Sequence, residues 1–189
     1  MNLLDRGEAT RALVPLEHAR ARWADKADLH LLLARCHQAV EDWPSAEVAY
    51  RRSLELQPLA YVCVLLGAVL DRLGRADEAV WWLHHSLELD PDYEESHYNI
   101  GQLLVRQGDL DGADARFRRA LELDQDYADA HLALGKLLLG RALQAAKPTE
   151  HPNWQPAFDH LSRATELAPD DVRPRESLTA MRALVEVNR

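Results

Sequence analysis

An alanine returns at a fixed distance along this chain. Ala46, Ala79 and Ala113 stand 33 and 34 residues apart. Eight residues on from these alanines come Leu54-Glu55-Leu56-Gln57-Pro58, Leu87-Glu88-Leu89-Asp90-Pro91 and Leu121-Glu122-Leu123-Asp124. A fourth copy ends in Thr165-Glu166-Leu167-Ala168-Pro169, with Ala157, Leu161 and Ala164 at the same internal offsets. Upstream of each copy lies a second apolar pattern in which a small residue follows a leucine or isoleucine: Leu33-Ala34, Leu66-Gly67, Ile100-Gly101 and Leu134-Gly135. Both patterns have helical spacing, so each unit is a pair of helices. Gly74 and Gly108 suit the turn inside a pair, and Pro58, Pro91 and Pro169 close the second helix. A unit this short cannot bury its apolar face alone. Its neighbours must stack on it, and the product is a solenoid.

Numbered from Ala27, Ala60, Glu94 and Ala128, the units place Ala46, Ala79, Ala113 and Ala157 at position twenty. Position twenty-four is then Tyr50, Leu83, Phe117 and Leu161, and position twenty-seven is Ser53, Ser86, Ala120 and Ala164. This pattern resembles the tetratricopeptide repeat (TPR) family, a helix–turn–helix unit of about 34 residues. Gln125 departs from the family's proline in the third unit. The resemblance implies an all-α, right-handed superhelical solenoid of antiparallel helix pairs with a C-terminal capping helix. Its expected divisions are a half-repeat over 1–26, repeats over 27–59, 60–93, 94–127 and 128–169, and a cap over 170–189.

The expected helices span 8–22, 27–40, 43–57, 60–73, 76–89, 94–107, 110–123, 128–146, 154–168 and 172–187. Pro44, Pro156 and Pro174 fall in first turns, where a missing N–H costs little. Pro15 falls mid-helix and should kink the first helix or delay its start. Residues 7–24 read as the second helix of a unit with no partner before it. Either an upstream segment belongs there, or an apolar flank is left open for another protomer or domain. The fourth unit carries an insertion near 140–153, read as a helix extension to Ala146 and then a loop with Asn153 as N-cap.

Lys and Arg number 22 against 31 Asp and Glu, a net charge of −9 with His neutral. Non-specific nucleic-acid binding depends on cations at phosphates, so no nucleic-acid partner is expected. No apolar run is long enough to span a membrane, and no basic-then-apolar leader opens the chain. Cys36 and Cys63 sit in helical patterns as buried free thiols, which suits a reducing, cytoplasmic setting.

His30, Cys63, His97 and His131 share position four, but successive repeats lie roughly 10 Å apart, too far to share a metal. No phosphate loop, nucleophile elbow or zinc-protease motif is present. The expectation is a non-enzyme with no cofactor and no metal. Trp81 falls on the outer face, where it is either an interface anchor or packed against an adjacent helix.

What the resemblance implies for function is a scaffold or adaptor binding a partner protein or peptide in the concave groove. Two other readings stay open: a regulatory or substrate-presenting segment of a larger, transferase-like enzyme, and a homo-oligomer assembled through the N-terminal helix. The groove wall is the first helix of each repeat, and it carries Leu31, Arg35, Tyr61, Val64, Arg72, Tyr98, Asn99, Gln102, Arg106, Leu132 and Lys136. Asp28, Glu95 and Asp129 stand at helix starts, where the dipole offsets them. Cations further along suggest a polarised trough for an acidic partner segment. The two-carboxylate clamp for chaperone tails is not matched, because Glu95 and Asp129 stand where that clamp needs cations. Asn99 has Leu32, Leu65 and Ala133 as counterparts, so the asparagine ladder of sugar-transferase TPR domains is absent too.

Overall fold

The computed structural model describes residues 6–187. Residues 1–5 and 188–189, the outer ends of the expected half-repeat and cap, lie outside the described residues. The helices are α1 (Arg6–Arg22), α2 (Ala27–Ala39), α3 (Trp43–Leu56), α4 (Ala60–Arg72), α5 (Ala76–Leu89), α6 (Glu94–Gln107), α7 (Leu110–Leu123), α8 (Ala128–Leu143), α9 (Trp154–Leu167) and α10 (Val172–Val187). A single 3₁₀ turn, Pro148–Glu150, sits between α8 and α9. The chain divides into two compact units, one ending at Ser96 and the other beginning at His97.

In the first unit α2 packs on α3 and α4 on α5, while α1 lies against α2. Its core holds Leu33, Tyr50, Val62, Leu66 and Leu70, with Ala34, Ala46 and Ala79 letting the backbones approach. Cys36 and Cys63 are both free and buried in it. Burial pushes the Cys63 thiol up to about 11 and raises Cys36 as well. Position twenty-seven closes each hairpin. The Ser53 hydroxyl donates to the Ala27 carbonyl at 3.1 Å, and the Ser86 hydroxyl to that of Ala60 at 2.9 Å.

Pro15 lies inside α1, which is already helical at Arg6, so the proline does not delay the start of the helix. Ala12, Leu16 and Ala19 are only half-buried, whereas their counterparts Ala46, Tyr50 and Ser53 are fully buried. The α1 flank is therefore partly open among the described residues.

The turns of the first three hairpins, α2–α3, α4–α5 and α6–α7, each use a left-handed residue. Gly74 and Gly108 take it at φ 76° and 83°, but Glu41 takes it at φ 63°. Asp42 and Asp109 follow and cap the next helix, accepting from Ser45 N–H at 3.3 Å and Gly112 N–H at 2.9 Å. Arg75 replaces the capping aspartate between them. It binds Glu47 at 2.6 Å and Glu78 at 2.5 Å, joining α3 to the start of α5.

In the second unit α8 packs on α7 and α9, and α10 closes on α9. Phe117, Leu134, Leu138, Leu161 and Met181 fill its core. The α8 extension stops at Leu143, three residues short of the expected Ala146. It is long enough to bring Arg141 to Asp111 at 2.5 Å and Asp114 at 2.7 Å. Asn153 stands at the N-cap of α9, but its side chain makes no capping bond because its backbone is already helical at φ −80°, ψ −8°. The buried faces of α10 are Pro174, Leu178 and Met181, while Arg175, Thr179 and Arg182 face outward, as on a terminal cap.

Candidate functional site

The first helices of the second unit surround a cavity of about 450 Å³. Tyr98, Gln102 and Val105 line it from α6, and Asp129, Leu132, Ala133 and Lys136 from α8. Its apolar lining includes Phe117, Leu132 at 5% exposure and the half-buried Ala133. Tyr98 is fixed by rings on two sides, Tyr127 at 5.1 Å and Phe117 at 6.0 Å between centroids. The Gln102 amide donates to its hydroxyl at 3.0 Å. An aromatic edge and an amide thus stand together over an apolar pocket, the composition a side-chain-binding site needs.

Three cations border this cavity: Lys136, Arg141 and Arg173. Arg141 is committed to α7, and Arg173 binds Asp171 at 2.7 Å and Asp129 at 3.0 Å. Those carboxylates raise the Arg173 guanidinium further, and Arg173 lowers Asp171 in return. Lys136 is exposed and acts on Asp171 through its charge. Among the described residues it is the one cation of the cavity without an ion pair of its own. Asn99 is half-buried and Arg106 exposed on the same helix as Tyr98, but neither lines the cavity.

In the first unit, Leu31 and Arg35 are half-buried and Tyr61 is 37% exposed. Arg72 reaches back over the Trp43 ring at 5.8 Å. Val64 corrects the sequence reading. At 3% exposure it belongs to the core, leaving almost no surface for a ligand. Gln38, on α2, accepts from the Tyr50 hydroxyl at 2.6 Å.

Arg173 carries no groove signal when α10 is read only as a cap. Counting a fifth unit from Val172 puts it at position two, the register of Asp28, Glu95 and Asp129. The position-four histidines also find their purpose. His30 Nε2 meets the Ala24 carbonyl and His131 Nε2 that of Gln125, each at 3.0 Å and six residues upstream, so both pin the preceding turn.

Family models agree with this geometry. One described as a tetratricopeptide repeat matches residues 60–93, and another described as a TPR repeat matches 101–140. The chain is a tetratricopeptide repeat protein. Solved structures support the same all-α solenoid. A structure reported as the functional characterisation of pilF from Pseudomonas aeruginosa has a TM-score of 0.75 at 21% identity, over 93% of this chain and 82% of its own. YrrB, described as a TPR protein with an unusual peptide-binding site, reaches 0.63 at 22% identity, over 90% and 84%. MamA reaches 0.68 at 15% identity, over 87% and 91%. No curated protein matches the chain significantly. These TPR repeats make it a protein–protein interaction scaffold. Among its described residues, no helix is long and apolar enough to cross a membrane.

Proposed function

We propose that this TPR protein is a non-catalytic, cytoplasmic adaptor that holds a partner peptide or protein segment along its first helices. The cavity beside Tyr98, Gln102, Leu132 and Lys136 carries the reading. An apolar partner side chain enters between α6 and α8, and a partner carboxylate meets Lys136. Because Arg141 and Arg173 already have carboxylates, Lys136 selects for acid and the two arginines brace the wall. In the first unit Tyr61 and Arg35 offer a similar pairing of aromatic surface and positive charge. YrrB, whose structure is described by its peptide-binding site, is similar in fold and lends support to a peptide ligand.

The test begins with a peptide-display selection against the whole chain, followed by titration of the best peptide. Charge reversal Lys136→Glu should weaken binding by about tenfold or more, and so should raising salt from ~50 to ~500 mM, because exposed pairs are screened over about 10 Å at 0.1 M. Reversal at Arg119, which pairs with Glu122 on α7, should leave it unchanged. Equal losses from both reversals would sink the groove reading.

A further inference from the structure

Histidine or cysteine stands at position four of every repeat, and successive repeats hold these side chains too far apart to share an ion. A second ligand can instead come from within one repeat. Position twenty-three, three residues past the small residue of the second helix, is Ala49, Trp82, Arg116 and His160 in turn. In the third repeat it brings a cation to position four, where the Arg116 guanidinium donates to His97 Nδ1 at 3.2 Å. In the fourth it brings a second imidazole. The Nδ1 atoms of His131 and His160 lie 2.9 Å apart, with the rings tilted by 41°. Of the four pairs, this is the one made of two metal-ligand side chains.

Both rings are half-buried, one on α8 and one on α9, and so remain reachable from solvent. His131 Nε2 donates to the Gln125 carbonyl at 3.0 Å, which leaves the lone pair of that ring on Nδ1. Histidine ligands are oriented in this way, by a carbonyl or carboxylate on the nitrogen that does not bind the metal. Imidazole nitrogens lie about 2.0–2.1 Å from a bound divalent ion. With 2.9 Å between the two nitrogens, the angle at such an ion is about 90°. A tetrahedral ion would hold them about 3.3–3.4 Å apart. Right angles belong to square-planar and octahedral sites, and with nitrogen ligands they mark Cu(II) and Ni(II).

We propose that His131 and His160 chelate a divalent copper or nickel ion through their Nδ1 atoms, joining α8 to α9. The proton that His160 carries on Nδ1 passes through water to its Nε2, so that both Nδ1 lone pairs turn to the ion. The rings pivot to meet an ion that sits about 1.4–1.5 Å off the line between the nitrogens. Water fills the remaining positions, since no group of three or more His, Cys, Asp or Glu converges among the described residues. The charges of Asp159 and Asp114 at His160 favour a cation and that of Arg118 opposes it. Asp114 is already shared by Arg118 and Arg141, so it is not free to become a ligand. The chelate spans the insertion at 144–153 and holds α8, the helix that carries Leu132 and Lys136, against α9.

The probes are Cu(II), Ni(II) and Zn(II) salts, each titrated into the full, metal-stripped chain at about pH 7.5, where the imidazoles are neutral. Copper should bind most tightly, one ion per chain, with two imidazole nitrogens in its electron paramagnetic resonance spectrum. His131→Asn and His160→Asn should each weaken it by about tenfold or more. His84→Asn and His85→Asn, at the adjacent histidines of α5, should change it less than about twofold. A second readout needs no variant to fold. In the unmodified chain, bound copper should broaden the amide signals of the first turn of α8 and the middle of α9. Failure to bind copper below about 1 mM overturns the proposal. So does undiminished binding by His160→Asn, which would leave the two rings with only their mutual hydrogen bond. Tighter binding of zinc than of copper would refute the right-angled site, and broadening centred on α5 would place the ion at His84 and His85 instead.

Discussion

The two units solve the same packing problem with different residues. The first closes its hairpins with Ser53 and Ser86, each bonded to a backbone carbonyl, while the second uses Ala120 and Ala164 at that register. The first sets Gly67 against Leu83, where an added Cβ would rest at 3.4 Å. The second sets Gly101 against Phe117 and Gly135 against Leu161, where that Cβ would fall at 2.6 and 2.8 Å. Leucine faces the glycine in both units, 3.4 Å from an added Cβ at Gly67 and 2.8 Å from one at Gly135, so the closeness of approach, and not the size of the facing side chain alone, decides whether the glycine can be replaced. A slot in a repeat is thus defined by the pair that fills it rather than by either residue.

That contrast is open to direct attack. Gly101→Ala should lower stability by about 2–3 kcal/mol, read as the urea midpoint, because a rigid ring has no room to retreat. Gly67→Ala should be neutral or stabilising by up to about 1 kcal/mol, since alanine favours the helix. Similar losses from both would show that the facing side chain is irrelevant. Next in size is the cap. Asp109→Ala should cost about 1 kcal/mol, with faster hydrogen exchange at the start of α7. Arg75→Ala removes no cap, and its exposed ion pairs should contribute less.

Acid should separate the units as well. His131 and His160 meet Nδ1 to Nδ1 at 2.9 Å, and His131 Nε2 faces the Gln125 carbonyl. With His131 donating there, its Nδ1 accepts and His160 donates. Burial, then the His131 and Arg118 charges, lowers His160 from its ordinary 6.5. The folded state therefore binds fewer protons than the unfolded one just below 6.5. This contribution is complete above 6.5 and is lost as pH falls through 6.5 towards the lowered value. Unfolding followed from about pH 8 to about pH 5 should show the second unit weakening, and His160→Asn should flatten that slope. The smallest effect expected is a gain. Glu41→Gly relieves a left-handed glutamate and should stabilise the first unit by about 0.5–1 kcal/mol.

Helix positions were legible because the apolar period, the prolines and the turn glycines all act within a few residues. The ends of α5, α6, α7 and α10 fall where the spacing puts them, whereas α8 stops early. Nothing local marks that stop. Arg141 reaches Asp111 and Asp114 some thirty residues away, and such a tie leaves no periodic trace. The candidate site was legible only as a list of wall positions. Burial separates Leu132, which lines a cavity, from Val64, which does not, and burial depends on neighbours that one helix cannot reveal. Arg173 required a fifth repeat to be counted past the point where its pattern had faded.

Burial of the two thiols also makes the chain convenient to label. With the Cys63 thiol pushed up to about 11, roughly one molecule in ten thousand carries its thiolate at neutral pH, and Cys36 is raised in the same direction. Neither is open to a maleimide while the fold is intact. A single cysteine placed at an exposed position such as Val48 or Lys136 becomes the one reactive handle among the described residues. Dyes, spin labels or crosslinkers can then be attached to either wall of the unmodified scaffold, and any reaction at Cys36 or Cys63 reports that the first unit has opened.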